Sequence, residues 1–210
     1  MLITQRLIPK QLDIAAAILQ QGGLVVFPTD TVYGVAALAQ NEEAVSRIYA
    51  AKQRPPDMPL PVMIKEAKDV HSVARPLAGF WELTRVFWPG PLTIILPKTN
   101  ALPAIVTAGG ETVALRIPDH PLALDLLKMV GAPLAVTSAN LSGRSPSRSA
   151  DDVWLQLDGK VDAIVDGGKA PGGQPSTIVD LTQMPYHILR HGPITDAQIR
   201  TALTSIARQI

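Results

Sequence analysis

Apolar residues recur along this chain at two different spacings. In residues 10–21, Leu12, Ala15, Ala16 and Leu19 fall three and four positions apart, which predicts a helix with one buried face that stops at Gly22-Gly23. Residues 24–27 (LVVF) form a continuous apolar run, the pattern of a buried strand. Asn41 stands where an N-cap is wanted, ahead of Glu42, Glu43 and the stripe Ala44, Val45, Ile48 and Tyr49, and Pro55-Pro56 closes that helix. Lys52 and Arg54 then lie at or just past its C-terminus. Further strands are predicted over 35–39, 60–64, 92–96, 112–117, 134–137, 162–165, 177–181 and 187–190. Helices are predicted near 66–74, 77–87, 121–130, 150–157 and 196–208. Ser149 with Asp152 and Thr195 with Gln198 are reciprocal capping signatures, so these two starts are the best defined. The pattern is α/β with a mixed sheet.

Composition narrows the picture. With 210 residues, 47% of them hydrophobic, the chain can bury a sizeable core as one domain spanning 1–210. Nineteen basic and 18 acidic side chains nearly cancel, so no general electrostatic footprint for wrapping a nucleic acid is expected. The absence of cysteine excludes disulfides, thiolate metal sites and a cysteine nucleophile. Four scattered histidines (His71, His120, His187, His191) leave little for zinc. No apolar run approaches the roughly 20 residues of a membrane span, and MLITQRLIPK lacks a signal peptide's apolar stretch, so a cytoplasmic protein without membrane contact is expected. The Ser/Arg/Pro segment at 142–149 reads as a mobile loop.

Five segments carry candidate chemistry, each with an ordinary alternative. FPTDTVYG (27–34) puts Thr29, Asp30, Thr31 and Tyr33 in a turn at a strand's carboxyl end, where open α/β sheets bind ligands, or it is simply an Asp/Thr turn. In AKQRPPDMP (51–59), Lys52 and Arg54 can neutralise phosphate oxygens, or merely complement a helix C-terminus. LAVTSANLSG (134–143) places Thr137, Ser138, Asn140 and Ser142 just past a strand, suited to a phosphate, ribose or carboxylate, or to solvent. DGGKAPGGQPST (166–177) has glycines that let backbone N–H groups approach an anion, although neither a P-loop nor a G-x-G-x-x-G fingerprint is present. Arg116 and Arg190 sit in largely apolar strands with few carboxylates nearby in sequence, so a bound anion is a reasonable partner for each, with exposure at a strand edge the alternative.

Taken together, PTDTVYG, KQR, PLTIIL after WPG, TVALRIP, TSANLSG, PSTIVDL and LRHGPI resemble, in order and spacing, the YrdC-like threonylcarbamoyl-AMP synthases over nearly the whole chain. The resemblance implies a twisted sheet around a deep cavity in which ATP, L-threonine and bicarbonate meet. It implies catalytic roles for Lys52, Arg54, Ser138 and Asn140, the positions of a K-x-R and S-x-N signature. These four would contact ATP together with Thr112 and Arg190, while Thr31, Arg116 and Ser176 would contact threonine. Mg²⁺ would arrive with ATP, held mainly by phosphates and water rather than by a protein site. Transient contact with tRNA, or with the tRNA-modifying proteins that receive the adenylate, also follows. The chain ends one helix after LRHGPI, so the resemblance is to the short single-domain members, and no second domain is expected to act as a lid. It departs from the pattern in MPLPVM, where many members have Asn and His within N-P-L-x-V-H. Met58 and Met63 make neither side chain's hydrogen bonds, so the threonine pocket, or the substrate, is expected to differ there. Two other readings compete: a YrdC-like paralogue acting on another carbamoyl or acyl substrate, and an RNA-binding module. Near-neutral charge and only three Trp, three Tyr and three Phe count against the module.

Overall fold

The computed structural model describes residues 2–172 and 174–204. In chain order its elements are β1 (Gln5–Leu7), α1 (Leu12–Gln20), β2 (Val25–Pro28), β3 (Tyr33–Leu38), α2 (Glu42–Lys52), β4 (Val62–Met63), α3 (Phe80–Phe87) and β5 (Leu92–Pro97). They continue with β6 (Thr112–Arg116), α4 (Pro121–Val130), β7 (Leu134–Ser138), α5 (Ala150–Leu157), β8 (Ala163–Val165), β9 (Thr177–Asp180), β10 (His187–Arg190) and α6 (Asp196–Thr204). The strands make one mixed sheet in the order β1-β8-β2-β3-β7-β4-β6-β5-β9-β10. β8 pairs parallel with β1 and β2, β4 with β6, and β5 with β9; the remaining pairs are antiparallel. The fold is the α/β architecture that the hydrophobic pattern predicts.

Side chains alternate across a strand, so each strand feeds two layers. On one face Val26, Val35, Val62, Ile94, Leu115 and Val179 pack with Ile48 of α2, Phe80 and Leu83 of α3, Val153 of α5 and Ile199 of α6. On the other face Val25, Phe27, Ala36, Leu134 and Ala163 pack with Leu12 and Leu19 of α1 and with Leu126 and Leu127 of α4. Each such aliphatic or aromatic side chain stabilises the fold by about 1.5–3 kcal/mol when fully buried. The second layer ends at Met63 and Val136. Beyond them, on the same face, the side chains of β6, β5, β9 and β10 line a cavity.

Several local expectations are met in detail. Asn41 accepts the Ala44 N–H at 3.0 Å and caps α2. Ser149 and Asp152 form a capping box at the start of α5, and Thr195 and Gln198 bond reciprocally before α6. Others differ. Residues 66–74, read as a helix, form a 3-10 turn at Ala67–Ser72: Ala67, Val70 and Val73 are spaced by three, the repeat of that tighter helix. A second 3-10 turn, Pro9–Gln11, precedes α1. β1 was not anticipated; it is three residues long, and only Leu7 is buried. α6 is described to Thr204, and the predicted extension over 205–208 lies outside the described residues. The segment 142–149, expected to be mobile, is tied down at both ends. Ser142 N–H donates to Lys52 O at 2.9 Å, and Ser147 Oγ donates to Ala139 O at 2.6 Å while its carbonyl accepts from Tyr33 N–H at 3.0 Å.

Candidate functional site

The cavity measures about 460 Å³, a size that suits a small-molecule ligand. Strand periodicity builds it. Thr93 and Ile95 of β5, Thr112, Ala114 and Arg116 of β6, and Ser176 with Ile178 at β9 are each two residues apart, so each set points to one side of the sheet. The Thr29–Gly34 turn, the loop carrying Arg54 to Pro61, and Leu189 and Arg190 of the edge strand complete the wall. Among the described residues the charged lining groups are Arg54, Arg116 and Arg190, with no carboxylate.

Each arginine is held differently. Arg54 donates from Nε to Met58 O at 3.2 Å and from Nη2 to Pro59 O at 2.9 Å, which bends the 54–59 loop around its side chain. Arg190 donates from Nε to Ser176 O at 2.9 Å and from Nη2 to Ser176 Oγ at 3.0 Å. Neither has a carboxylate partner among the described residues. Burial lowers both pKa values, and for Arg190 the nearby Arg116 charge adds to the effect.

Arg116 is different: it has a carboxylate partner within the chain, which the sequence reading did not supply. Its Nη2 lies 2.6 Å from both carboxylate oxygens of Asp30, its Nη1 donates to Thr31 Oγ1 at 3.2 Å and its Nε to Gly90 O at 2.9 Å. Burial pulls its pKa down while Asp30 opposes that. The few carboxylates in its own stretch of sequence were the wrong guide, because the partner lies 86 positions away. Arg190, in the exposed edge strand, follows the strand-edge alternative and still reaches the cavity.

The remaining candidates divide into two groups. Thr31, Thr112, Ser138 and Ser176 line the cavity. Thr31 Oγ1 shares a 3.0 Å hydrogen bond with Thr29 Oγ1, and Ser176 Oγ shares one of 2.7 Å with Thr93 Oγ1. Lys52 and Asn140 do not line it. Lys52 is 1% exposed, and its Nζ donates to Ser138 O and, at 2.6 Å, to Asn140 O. Burial, reinforced by the charge of Arg54, lowers its pKa to about 7. Asn140 turns its Nδ2 to Leu141 O and Arg144 O, both at 2.8 Å, and its Oδ1 is buried without a partner among the described residues. Both residues thus shape the loop after β7, while Ser138 faces the cavity.

Met58 and Met63 do stand on the wall. Gly167 and Gly172 have a packing role: a Cβ on Gly172 would lie 2.7 Å from Asp30 O, and one on Gly167 would lie 2.6 Å from Pro28 Cγ; Gly168 instead has a φ of +81° and open space beside it. Gly173 lies outside the described residues. Sequence reasoning passed over Thr93, which the alternation in LTIIL places opposite the core, and the Asp30–Arg116 pair, for which no local signal exists. Among the described residues no three His, Cys, Asp or Glu side chains converge on a metal position, and no helix is long and apolar enough to cross a membrane.

Comparison with known proteins gives consistent matches. The family model Sua5_yciO_yrdC, described as "Telomere recombination", matches residues 17–192. A threonylcarbamoyl-AMP synthase of Bacillus subtilis is 46% identical over 93% of this chain and 57% of its own length. One of Pyrococcus abyssi is 40% identical over 97% of this chain and 60% of its own. The crystal structure of P. abyssi Sua5 complexed with L-threonine superposes with a TM-score of 0.90 at 40% identity, covering 95% of this chain and 60% of that one. The chain therefore spans about 60% of the length of these relatives.

Proposed function

This chain belongs to the Sua5/YciO/YrdC family, and from that premise we propose that it makes L-threonylcarbamoyl-AMP from L-threonine, bicarbonate and ATP, releasing pyrophosphate. This would be the first step of N6-threonylcarbamoyladenosine formation in tRNA, a nucleotidyl transfer in the cytoplasm. One observation carries the reading: a cavity of about 460 Å³ whose charged lining groups, among the described residues, are three arginines, of which only Arg116 has a carboxylate partner. Such a wall suits a polyphosphate together with an amino acid's carboxylate.

In this reading threonine's amine and bicarbonate condense to a carbamate and water. A carbamate oxygen then bonds to the α-phosphorus of ATP as the bond to the departing pyrophosphate breaks. The chain supplies position and charge rather than a covalent nucleophile. Arg54 and Arg190 face the phosphates, with Thr112 and Ser138 as hydroxyl donors. Thr31, Arg116 and Ser176 face threonine. Lys52 and Asn140 serve ATP indirectly, by fixing the loop that follows Ser138. A wall without carboxylates does not fit a protein-held Mg²⁺, so Mg²⁺ enters as MgATP. The adenylate would then pass to tRNA-modifying partners or to tRNA itself.

Pyrophosphate release that requires ATP, threonine and bicarbonate together is the expected result. Release independent of threonine, or none at all, rejects the assignment. The two methionines on the wall favour testing a second reading, a paralogue for another amino acid or acyl group. A panel of amino acids in the same assay separates the two: strongest turnover with a compound other than threonine selects the paralogue.

A further inference from the structure

Of the three arginines on the cavity wall, Arg116 alone has a carboxylate partner among the described residues. That partner, Asp30, is not itself part of the lining; it grips the guanidinium from outside the wall, with a side chain 12% exposed. The other Arg116 contacts, Gly90 O and Thr31 Oγ1, are neutral. Arg190 lies close enough to feel the charge of Arg116 and is held by Ser176 through neutral oxygens. The cluster thus contains two guanidiniums and one carboxylate; the positive charge in excess is that of Arg190, which threonine's carboxylate would share with the ATP phosphates. An excess charge on a cavity wall attracts an anion of matching size, and a buried pair that loses one partner leaves the other uncompensated.

We infer that Asp30 is the residue that sets pose and charge preference at the amino-acid end of the cavity. By clamping Arg116 against Thr31 it fixes the direction of the remaining donors, and by neutralising one guanidinium it leaves room for a single carboxylate. A ligand with two negative charges is disfavoured there; a zwitterionic amino acid fits. Asp30 acts through Arg116 and is a positioning residue. The inference rests on the reading of the cavity as a threonine site and adds which residue decides the charge that the site accepts.

Calorimetry and steady-state kinetics on the full chain test it, using L-threonine, L-threoninamide, which lacks the carboxylate, and inorganic phosphate. Wild type is expected to bind threonine well above threoninamide, with no phosphate competition against threonine. In Asp30→Asn, threonine affinity falls about tenfold or more and the preference over threoninamide shrinks. Phosphate becomes competitive with threonine, while the KM for ATP stays within about twofold. Asp30→Glu keeps the charge but moves it by one methylene: threonine KM rises, and phosphate competition stays absent. A folded Asp30→Asn protein with wild-type threonine affinity, or phosphate competition in Asp30→Glu, overturns the inference. The second result is decisive even if Asp30→Asn fails to fold. Wild type that binds no threonine overturns instead the assignment of the cavity, and this inference with it.

Discussion

One face of the sheet is used in two ways. Over β8, β2, β3 and β7 it presents Ala163, Val25, Phe27, Ala36 and Leu134, and α1 and α4 close over it. Over β6, β5, β9 and β10 the same face presents Thr112, Arg116, Thr93 and Arg190, interleaved with Ala114, Ile95 and Ile178, and the face is left as a cavity. The backbone is the same in kind; the side chains on alternate positions decide whether a helix docks. Hydroxyls and guanidiniums carry a desolvation penalty that an apolar helix face cannot repay, so this half of the sheet stays open to a ligand that can.

The largest expected effect tests that division directly. Arg54→Ala should reduce pyrophosphate release about 100-fold or more, with thermal unfolding changed by no more than about 1 kcal/mol. A comparable loss of stability would mean that the cavity half is structural after all. Leu19→Ala, in the covered half and 0% exposed, should do the reverse: stability falls by about 2–5 kcal/mol in denaturant titration, while kcat/KM per folded molecule is retained.

Lys52 asks which half claims a buried cation. Its pKa is about 7 in the folded chain, against about 10.4 for an ordinary lysine. Below pH 7 both folded and unfolded chains hold the proton, and the penalty of burying it is fully present. Between pH 7 and about 10.4 the unfolded chain keeps a proton that the native chain gives up, so native stability rises with pH. Relative to Lys52→Met, wild type should therefore gain up to about 1.4 kcal/mol per pH unit across that window, measured by unfolding at fixed ionic strength. A flat difference would show that Nζ is not buried in the way its two carbonyl partners require. Smallest is the seam: Met63 packs with the α1–α4 layer and also lines the cavity. Met63→Leu should change stability by less than about 1.5 kcal/mol and alter threonine KM more than ATP KM, seen in paired titrations.

How much of this could be read from sequence follows from how local each cause is. The caps at Asn41, Ser149 and Thr195 act within three or four residues and were legible, as were the strand segments that form β5, β6 and β9. β1 was not, since two polar residues and one leucine give no alternation to read. The helix predicted at 66–74 failed because spacings of three fit both helix types within so short a window. In the site, sequence brought Thr31, Arg54, Thr112, Arg116, Ser138, Ser176 and Arg190 to the wall. Lys52 and Asn140 do not reach the wall: Lys52 Nζ is enclosed by carbonyls 86 and 88 positions further on, and Asn140 turns its amide back onto its own loop. The match of Asp30 to Arg116 is invisible for the same reason.

The strand order has a consequence for how the molecule comes into being. β2–β3, β5–β6 and β9–β10 pair with near neighbours in sequence, but β3–β7, β4–β7 and β5–β9 join segments made far apart. Non-local pairings form late, after the loop-closure entropy has been overcome. On the ribosome the turn holding Thr31 emerges about 160 residues before Arg190, at a synthesis rate of about 5–20 residues per second. Until Arg190 follows, the nascent chain lacks the edge strand that completes the cavity wall.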